Sequence, residues 1–183
     1  MLKIISSPNP VLSQKAKEVK KIDKSILNFL KAMNHALLSA KDPIGVGLAA
    51  PQVGESLQIF ITKPTSKSPI QVFINPRKIS VDEKQIFADV KSAKSSTKLE
   101  GCLSLQSIWG EVKRAPSIKI SYMDENGKKY SKEFKGFMAT IIQHEMDHLD
   151  GILFPKRVLE QKGILYKSEK NEKGEDVFEE IEL

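Results

Sequence analysis

The chain has 183 residues, 40% of them hydrophobic, enough for one substantial core and short of what a second full domain needs. Its single cysteine excludes an internal disulfide framework and fits a reducing compartment. The formal charge of +6, from 29 basic and 23 acidic residues, is spread along the chain and singles out neither DNA nor a membrane as a partner. Residues 1–6 have no sustained apolar run of the secretory type, and no stretch is long and apolar enough to span a bilayer.

Residues 6–11, with Pro8 and Pro10, read as an extended lead-in. Over 23–40, Ile26, Leu30, Met33 and Leu37 recur at helical spacing, Leu27 and Leu38 widen the stripe, and Asp23 is placed as the N-cap. A core-packing helix is expected there, with His35 on the side away from the apolar stripe. Gly45-Val46-Gly47-Leu48-Ala49-Ala50 has the form of a dinucleotide fingerprint, which requires a preceding strand, a helix starting within it and an acidic residue roughly 20 positions on. Pro43 and Pro51 interrupt those elements and residues 64–69 are basic, so no nucleotide is expected. Glycines here let a ligand backbone approach closely, and Gln52 ends the block with an amide that can donate a hydrogen bond.

Short β-type segments are expected over 58–62, 71–75 and 85–90. Residues 91–98, Lys-Ser-Ala-Lys-Ser-Ser-Thr-Lys, form a polar, low-complexity loop that runs directly into Leu99-Glu100-Gly101-Cys102-Leu103-Ser104. Trp109 is expected to pack, the other reading being a shield over the cleft. Ile118, Ile120 and Tyr122 alternate with polar residues, Asn126-Gly127 supplies a tight turn, and Tyr130 and Phe134 lie on a returning strand. That hairpin leads into a largely buried helix. Beyond Pro155, Gly163-Ile164-Leu165-Tyr166, a charged turn over 171–174 and Val177-Phe178-Glu179-Glu180-Ile181 read as another hairpin.

The buried helix carries Gln143-His144-Glu145-Met146-Asp147-His148-Leu149, of His-Glu-x-x-His form. With about 3.6 residues per turn, both imidazoles project from one face and can reach one metal ion, while Glu145 lies about 100° round the helix. Glu145 can then act on a water beside the metal without taking a coordination position. A catalytic site of this type usually has three protein ligands. Metzincin-type proteases add a third His, but Phe154 stands at that position. Glu169 lies in a run that reads as solvated, and His35 points the wrong way. Cys102 remains, beside a glycine.

Gly45 to Gln52, Glu100-Gly101-Cys102-Leu103-Ser104 and the His-Glu-x-x-His block stand in the order of the three signature blocks of peptide deformylases. The chain resembles that family from about residue 4 to about residue 158. The resemblance implies removal of the formyl group from the N-terminal methionine of nascent peptides, with Cys102, His144 and His148 holding one divalent metal. It implies Fe(II) in the cell, with Zn(II), Ni(II) or Co(II) accommodated in a purified sample. Glu145 would move the proton, and Gln52 and the backbone N–H of Leu103 would stabilise the oxyanion. Gly45, Val46, Gly47 and Leu48 would form one wall, and Ile141 part of a methionine pocket. Glu100, Gly101 and Arg114 would support the cysteine loop, Arg114 by pairing with Glu100.

Relatives commonly carry proline and glycine where this chain has Gln106 and Ser107, near the expected mouth of the cleft. The fold expected is α+β, with antiparallel strands packed around a central metal-binding helix and an N-terminal helix outside. Residues 1–183 are expected to form a single domain whose tail, 159–183, lies outside the shared core. Proximity to the ribosome, a monomer or weak homodimer, and a bacterial-type cytoplasm, with an organelle as the other setting, complete the expectation. On the residues alone, a zinc endopeptidase, a closed structural metal site and an inactive binder of nascent chains or ribosomes stay open.

Overall fold

Residues 2–41, 43–82 and 99–182 are described by a computed structural model. The strand expected over 85–90 and the loop over 91–98 lie outside the described residues. The lead-in is extended only to Asn9, whose Oδ1 accepts from the Val11 N–H and opens a 3-10 turn, Pro10–Ser13. Asp23 Oδ1 accepts from the N–H groups of Ser25 and Ile26 and starts helix α1, Lys24–Ser39. Leu30, Met33, Ala36 and Leu37 form its buried face. Leu27 and Leu38, expected to widen that face, are 38% and 57% exposed, so the stripe is narrower than it reads and Ala36 completes it. His35 is exposed beside Ser39.

Strands β1 (Gly47–Ala49), β2 (Ile59–Thr62) and β3 (Gln71–Val81) pair in antiparallel order. After β4 (Glu100–Cys102) and β5 (Leu105–Gly110), β6 (Ser117–Met123) and β7 (Lys129–Lys135) extend the first sheet to β1-β2-β3-β6-β7. The expected hairpin is β6–β7, with Tyr122 opposite Tyr130 and Ile118 opposite Phe134. Asp124 Oδ1 accepts from Asn126 and Lys128 at its turn, where Gly127 has φ +77.

Two helices cover this sheet. Leu48, Ile59, Ile61 and Ile74 pack with α1, whereas Ala49, Phe60 and Phe73 pack with Ala139, Ile142 and Leu149 of α2, Gly136–Leu149. Side chains alternate across a strand, so the central strands are buried on both faces, which explains why Ile59–Thr62 is nearly all apolar. α1 and α2 therefore cover opposite faces of the five-stranded sheet.

β3 is longer than expected because Asn75-Pro76 reads as a stop. Asn75 takes φ +50, and its amide bonds both backbone groups of Val19. The strand continues past this irregularity with a shifted register on β6. Helix α3, Phe154–Glu160, was not anticipated; its seven residues are too few for periodicity to declare it. The tail forms the expected hairpin, β8 (Leu165–Lys170) and β9 (Asp176–Glu180), and β8 pairs with β5 to give the second antiparallel sheet, β4-β5-β8-β9. The chain is thus α+β, with antiparallel sheets and three helices among the described residues. None of them is long and apolar enough to cross a membrane.

Phe73 is fully buried, stacks on Phe60 at 4.5 Å and meets Phe134 edge-on at 5.7 Å. Phe73→Ala is expected to cost about 3–5 kcal/mol in urea unfolding. Leu38→Ala should stay within about 0.5 kcal/mol; a Leu38 effect as large as that of Phe73 would contradict the narrower buried face of α1.

Candidate active site

Two segments from different parts of the fold meet in one buried spot. β4 delivers Cys102, and α2 delivers His144 and His148 one turn apart. One ligand atom from each of the three lies within 4.8 Å of the other two. Cys102 Sγ is 3.2 Å from His148 Nε2, and the two rings are 4.9 Å apart at 77°. Helical spacing explains the histidines; the sulfur arrives because β4 and β5 form a tight hairpin that places Cys102 opposite Leu105.

What steadies this meeting is a chain of charges. His144 Nδ1 lies 2.6 Å from Glu100 Oε1, and Arg114 donates to both Glu100 oxygens at 3.0 and 2.6 Å. The same guanidinium donates to Asp147 Oδ2 at 2.6 Å, and Arg157 holds Asp147 from its other side at 3.1 and 2.7 Å. Burial opposes charge on Glu100, but hydrogen bonds from His144 and Arg114 outweigh it and hold the carboxyl at about 2. The sequence pointed to the Arg114–Glu100 pair. It did not point to Asp147 and Arg157, because their contact spans ten positions into a helix too short to read.

A cysteine sulfur and two imidazole nitrogens within this distance, all buried, fit a divalent metal of borderline softness. The Glu100 contact at Nδ1 leaves His144 Nε2 as the coordinating atom. Burial, the largest influence, holds His148 well below its ordinary value, whereas His144, despite its burial, is held well above its own by Cys102 and Glu100, so metal binding at this cluster must release a proton from His144. The other candidates lie elsewhere. His35 is exposed on α1, and Glu169 pairs with Lys167 in the tail.

Glu145 is 3% exposed, and its Oε2 has no hydrogen-bond partner among the described residues. Burial, the largest influence, pushes its carboxyl up to about 7. The Glu145 carboxylate lies against the Cα of Gly47, where any Cβ would collide with it. Gln52 is fixed from the far side: its Oε1 accepts the Ala49 N–H at 2.8 Å, which turns Nε2 towards Cys102 Sγ at 3.5 Å and Ser104 Oγ at 3.3 Å.

These groups border a cavity of about 500 Å³. Gly45, Val46, Gly47 and Ile141 line it, as do Gly101, Leu103 and Arg114. Leu48 does not: strand alternation turns it to the α1 face, where it is fully buried. Gln106 and Ser107 are exposed and are not among the lining residues, whereas Trp109 is one of them. Ile44 and Phe137, 78% and 53% exposed, stand at the cavity without having been anticipated. The cavity is flanked by β1 and β4, each the outer strand of its sheet.

Comparison with known proteins agrees with this geometry. The sequence profile of the family described as polypeptide deformylase matches residues 1–163. A curated relative, peptide deformylase 1 of Bacillus cereus, is 39% identical over 158 residues, covering 86% of this chain and 92% of its own. The crystal structure of a Synechococcus elongatus peptide deformylase in complex with actinonin superposes with a TM-score of 0.72 at 35% identity, covering 85% of this chain and 78% of that one. The Thermotoga maritima peptide deformylase gives a TM-score of 0.72 at 32% identity, covering 86% and 97%.

Arg114 is 8% exposed between two carboxylates, and its removal leaves both buried without their shared cation. Arg114→Ala is expected to destabilise the fold by about 3–5 kcal/mol. It should also weaken metal binding by about 10- to 100-fold, measured by competition with a chelator. Unchanged metal affinity would show that the ion-pair chain does not act on the cysteine strand.

Proposed function

The chain belongs to the polypeptide deformylase family, metal-dependent hydrolases that remove the formyl group from the N-terminal methionine of newly synthesised proteins, and we propose that Glu145, Gln52 and Leu103 carry out that reaction beside a metal on Cys102, His144 and His148. The observation that carries the assignment is the meeting of Cys102 with both imidazoles. A divalent metal held there would supply Lewis acidity, making hydroxide available near neutral pH.

The remaining chemistry belongs to the chain. Glu145, unpaired at Oε2 and raised by burial, takes a proton from the attacking water and returns it to the departing amine nitrogen. As the new C–O bond forms and the C–N bond breaks, formate leaves and the methionine amine is freed. Proton transfer of this kind contributes roughly 10²- to 10⁴-fold. The Gln52 amide and the backbone N–H of Leu103 donate to the former carbonyl oxygen, each worth on the order of 10²- to 10³-fold. An extended peptide can lie between the outer strands β1 and β4 and share their main-chain hydrogen bonds. Gly45, Val46 and Gly47 form one wall, and Ile141 contributes to the methionine pocket. Glu100, Gly101 and Arg114 support the Cys102 strand.

Fe(II) is the metal proposed in the cell, and Zn(II), Ni(II) or Co(II) satisfy the same donors. The substrate, a nascent formyl-methionyl chain, places the work near the ribosome, in a bacterial-type cytoplasm or a corresponding organelle. The working unit proposed is residues 1–183 as one domain, acting as a monomer or weak homodimer.

Formate release from formyl-Met-Ala-Ser, assayed anaerobically, tests the assignment. Glu145→Ala should retain metal and lose at least about 10²-fold in kcat, while Cys102→Ser should bind metal less well or change its preference. Full turnover in metal-loaded Glu145→Ala would remove the proton-transfer role assigned to Glu145.

A formyl hydrogen is smaller than the methyl of an acetyl group, and the reacting carbon must fit between Gly47, Glu145 and Cys102. Acetyl-Met-Ala-Ser should therefore be cleaved at least about 10²-fold more slowly. Equal rates would eliminate steric selection at this point.

A further inference from the structure

Building on the deformylase reading, we infer that Trp109, clamped by the C-terminal hairpin, is the cleft wall that selects the side chains following the formyl-methionine, favouring aromatic and apolar over acidic ones. Trp109 lines the cavity and pairs with Gly101 across β4 and β5. Its indole lies flat on Gly101, so closely that a Cβ there would come within 2.8 Å of ring carbons. Gly101 adjoins Cys102 on the strand that borders the cavity. An extended peptide along that strand turns alternate side chains to each face, and those turned towards Gly101 meet the indole, since the glycine offers no side chain of its own.

Two side-chain contacts hold the ring, and both come from the tail. The Trp109 Nε1–H donates to Ser168 Oγ at 3.0 Å. Phe178 meets the indole edge-on, with centroids 5.8 Å apart at 84°. Trp109 also pairs with Tyr166 across β5 and β8. The hairpin is anchored below by Leu165 and Ile181, which pack with Phe154 and Val158 in the cluster that contains Cys102. β8 and β9 lie beyond residue 163, where the family match ends, so the family's shared blocks do not carry these contacts.

The partner chemistry follows from the surfaces. The negative face of an indole accommodates apolar and aromatic groups and repels carboxylates. Ile44 and Phe137 add exposed apolar surface at the same cavity. Ser168 and Phe178 are positioning residues; Trp109 is the specificity-determining one.

The test compares kcat and KM for formyl-Met-Xaa-Ser and formyl-Met-Ala-Xaa, with Xaa Ala, Phe or Asp, in the metal-loaded full chain, Trp109→Ala and Ser168→Ala/Phe178→Ala. At one of the two positions the wild type should prefer Phe to Asp by about tenfold or more in kcat/KM, through KM. Both variants should reduce that ratio to about twofold or less. Trp109 is the only tryptophan, so its emission reports the wall directly. The product peptide Met-Phe-Ser should shift that emission, and the hairpin variant should shift it to the red. If Trp109→Ala does not fold, Trp109→Phe, which keeps a ring but loses the Nε1 donor, should show a reduced ratio. A Phe-to-Asp ratio unchanged in the foldable Trp109 variant overturns the proposal. An unchanged ratio and emission in the hairpin variant overturns the part assigned to the tail. Failure of the wild type to release formate from formyl-Met-Ala-Ser would instead refute the underlying reaction.

Discussion

The 3.2 Å approach of Cys102 Sγ to His148 Nε2 is the contact on which the rest of the structure depends. The sulfur sits on a strand of the four-stranded sheet, the imidazole on a helix that packs into the five-stranded one. Neither sheet makes the site alone. Every element between them acts as a spacer for this contact: α2 is locked by Ala139, Ile142 and Leu149 in its own cluster, and Cys102 is locked by Val112, Phe154, Val158 and Leu165 in another.

Apolar packing sets the distance between these clusters but gives little direction to a side chain at their boundary. Direction comes from the buried charges. Glu100 is two positions before the sulfur and touches His144, and Arg114 ties that carboxylate to Asp147, which lies between Glu145 and His148 in sequence. Strand and helix are therefore cross-linked by charge-assisted hydrogen bonds on either side of the three ligands. Burying such groups costs much of what their attraction returns, so the network is better understood as positioning the ligands than as stabilising the fold. Arg157 extends it into α3, which brings a helix outside the signature blocks to bear on the metal-binding turn.

How much of this could be read beforehand divides along a physical line. α1 and the β6–β7 hairpin were legible because one face of each meets the core and the other meets water, which leaves a period in the sequence. The width of α1's stripe misled at Leu27 and Leu38 because an isolated apolar residue on a helix surface costs little. β3 past Asn75 was hidden because a side-chain clamp on Val19 replaces the ladder bonds that Asn-Pro disrupts. At the site, the two histidines were legible from spacing and the cysteine from the lack of another third ligand. Leu48 was misplaced because block membership says nothing of which face a strand residue takes. Asp147, Arg157 and the clamp on Trp109 join residues whose neighbourhood exists only after folding.

The two carboxylates of the site show why position outweighs residue type. Glu100 and Glu145 are both buried, and both feel His144 and Arg114. Glu100 bonds both of these groups directly and stays ionised to about 2, which suits it to hold an imidazole in one orientation. Glu145 meets the same groups only at a distance, with the bare Cα of Gly47 against it, and burial dominates its titration near 7. A carboxyl held near neutrality can both accept and return a proton, whereas one held near 2 cannot take a proton at all in that range. Had Gly47 carried a side chain, Glu145 would be displaced from the cavity. The glycine block, which in form resembles a nucleotide loop, thus has a different physical use: it leaves room for the Glu145 carboxylate at the cavity.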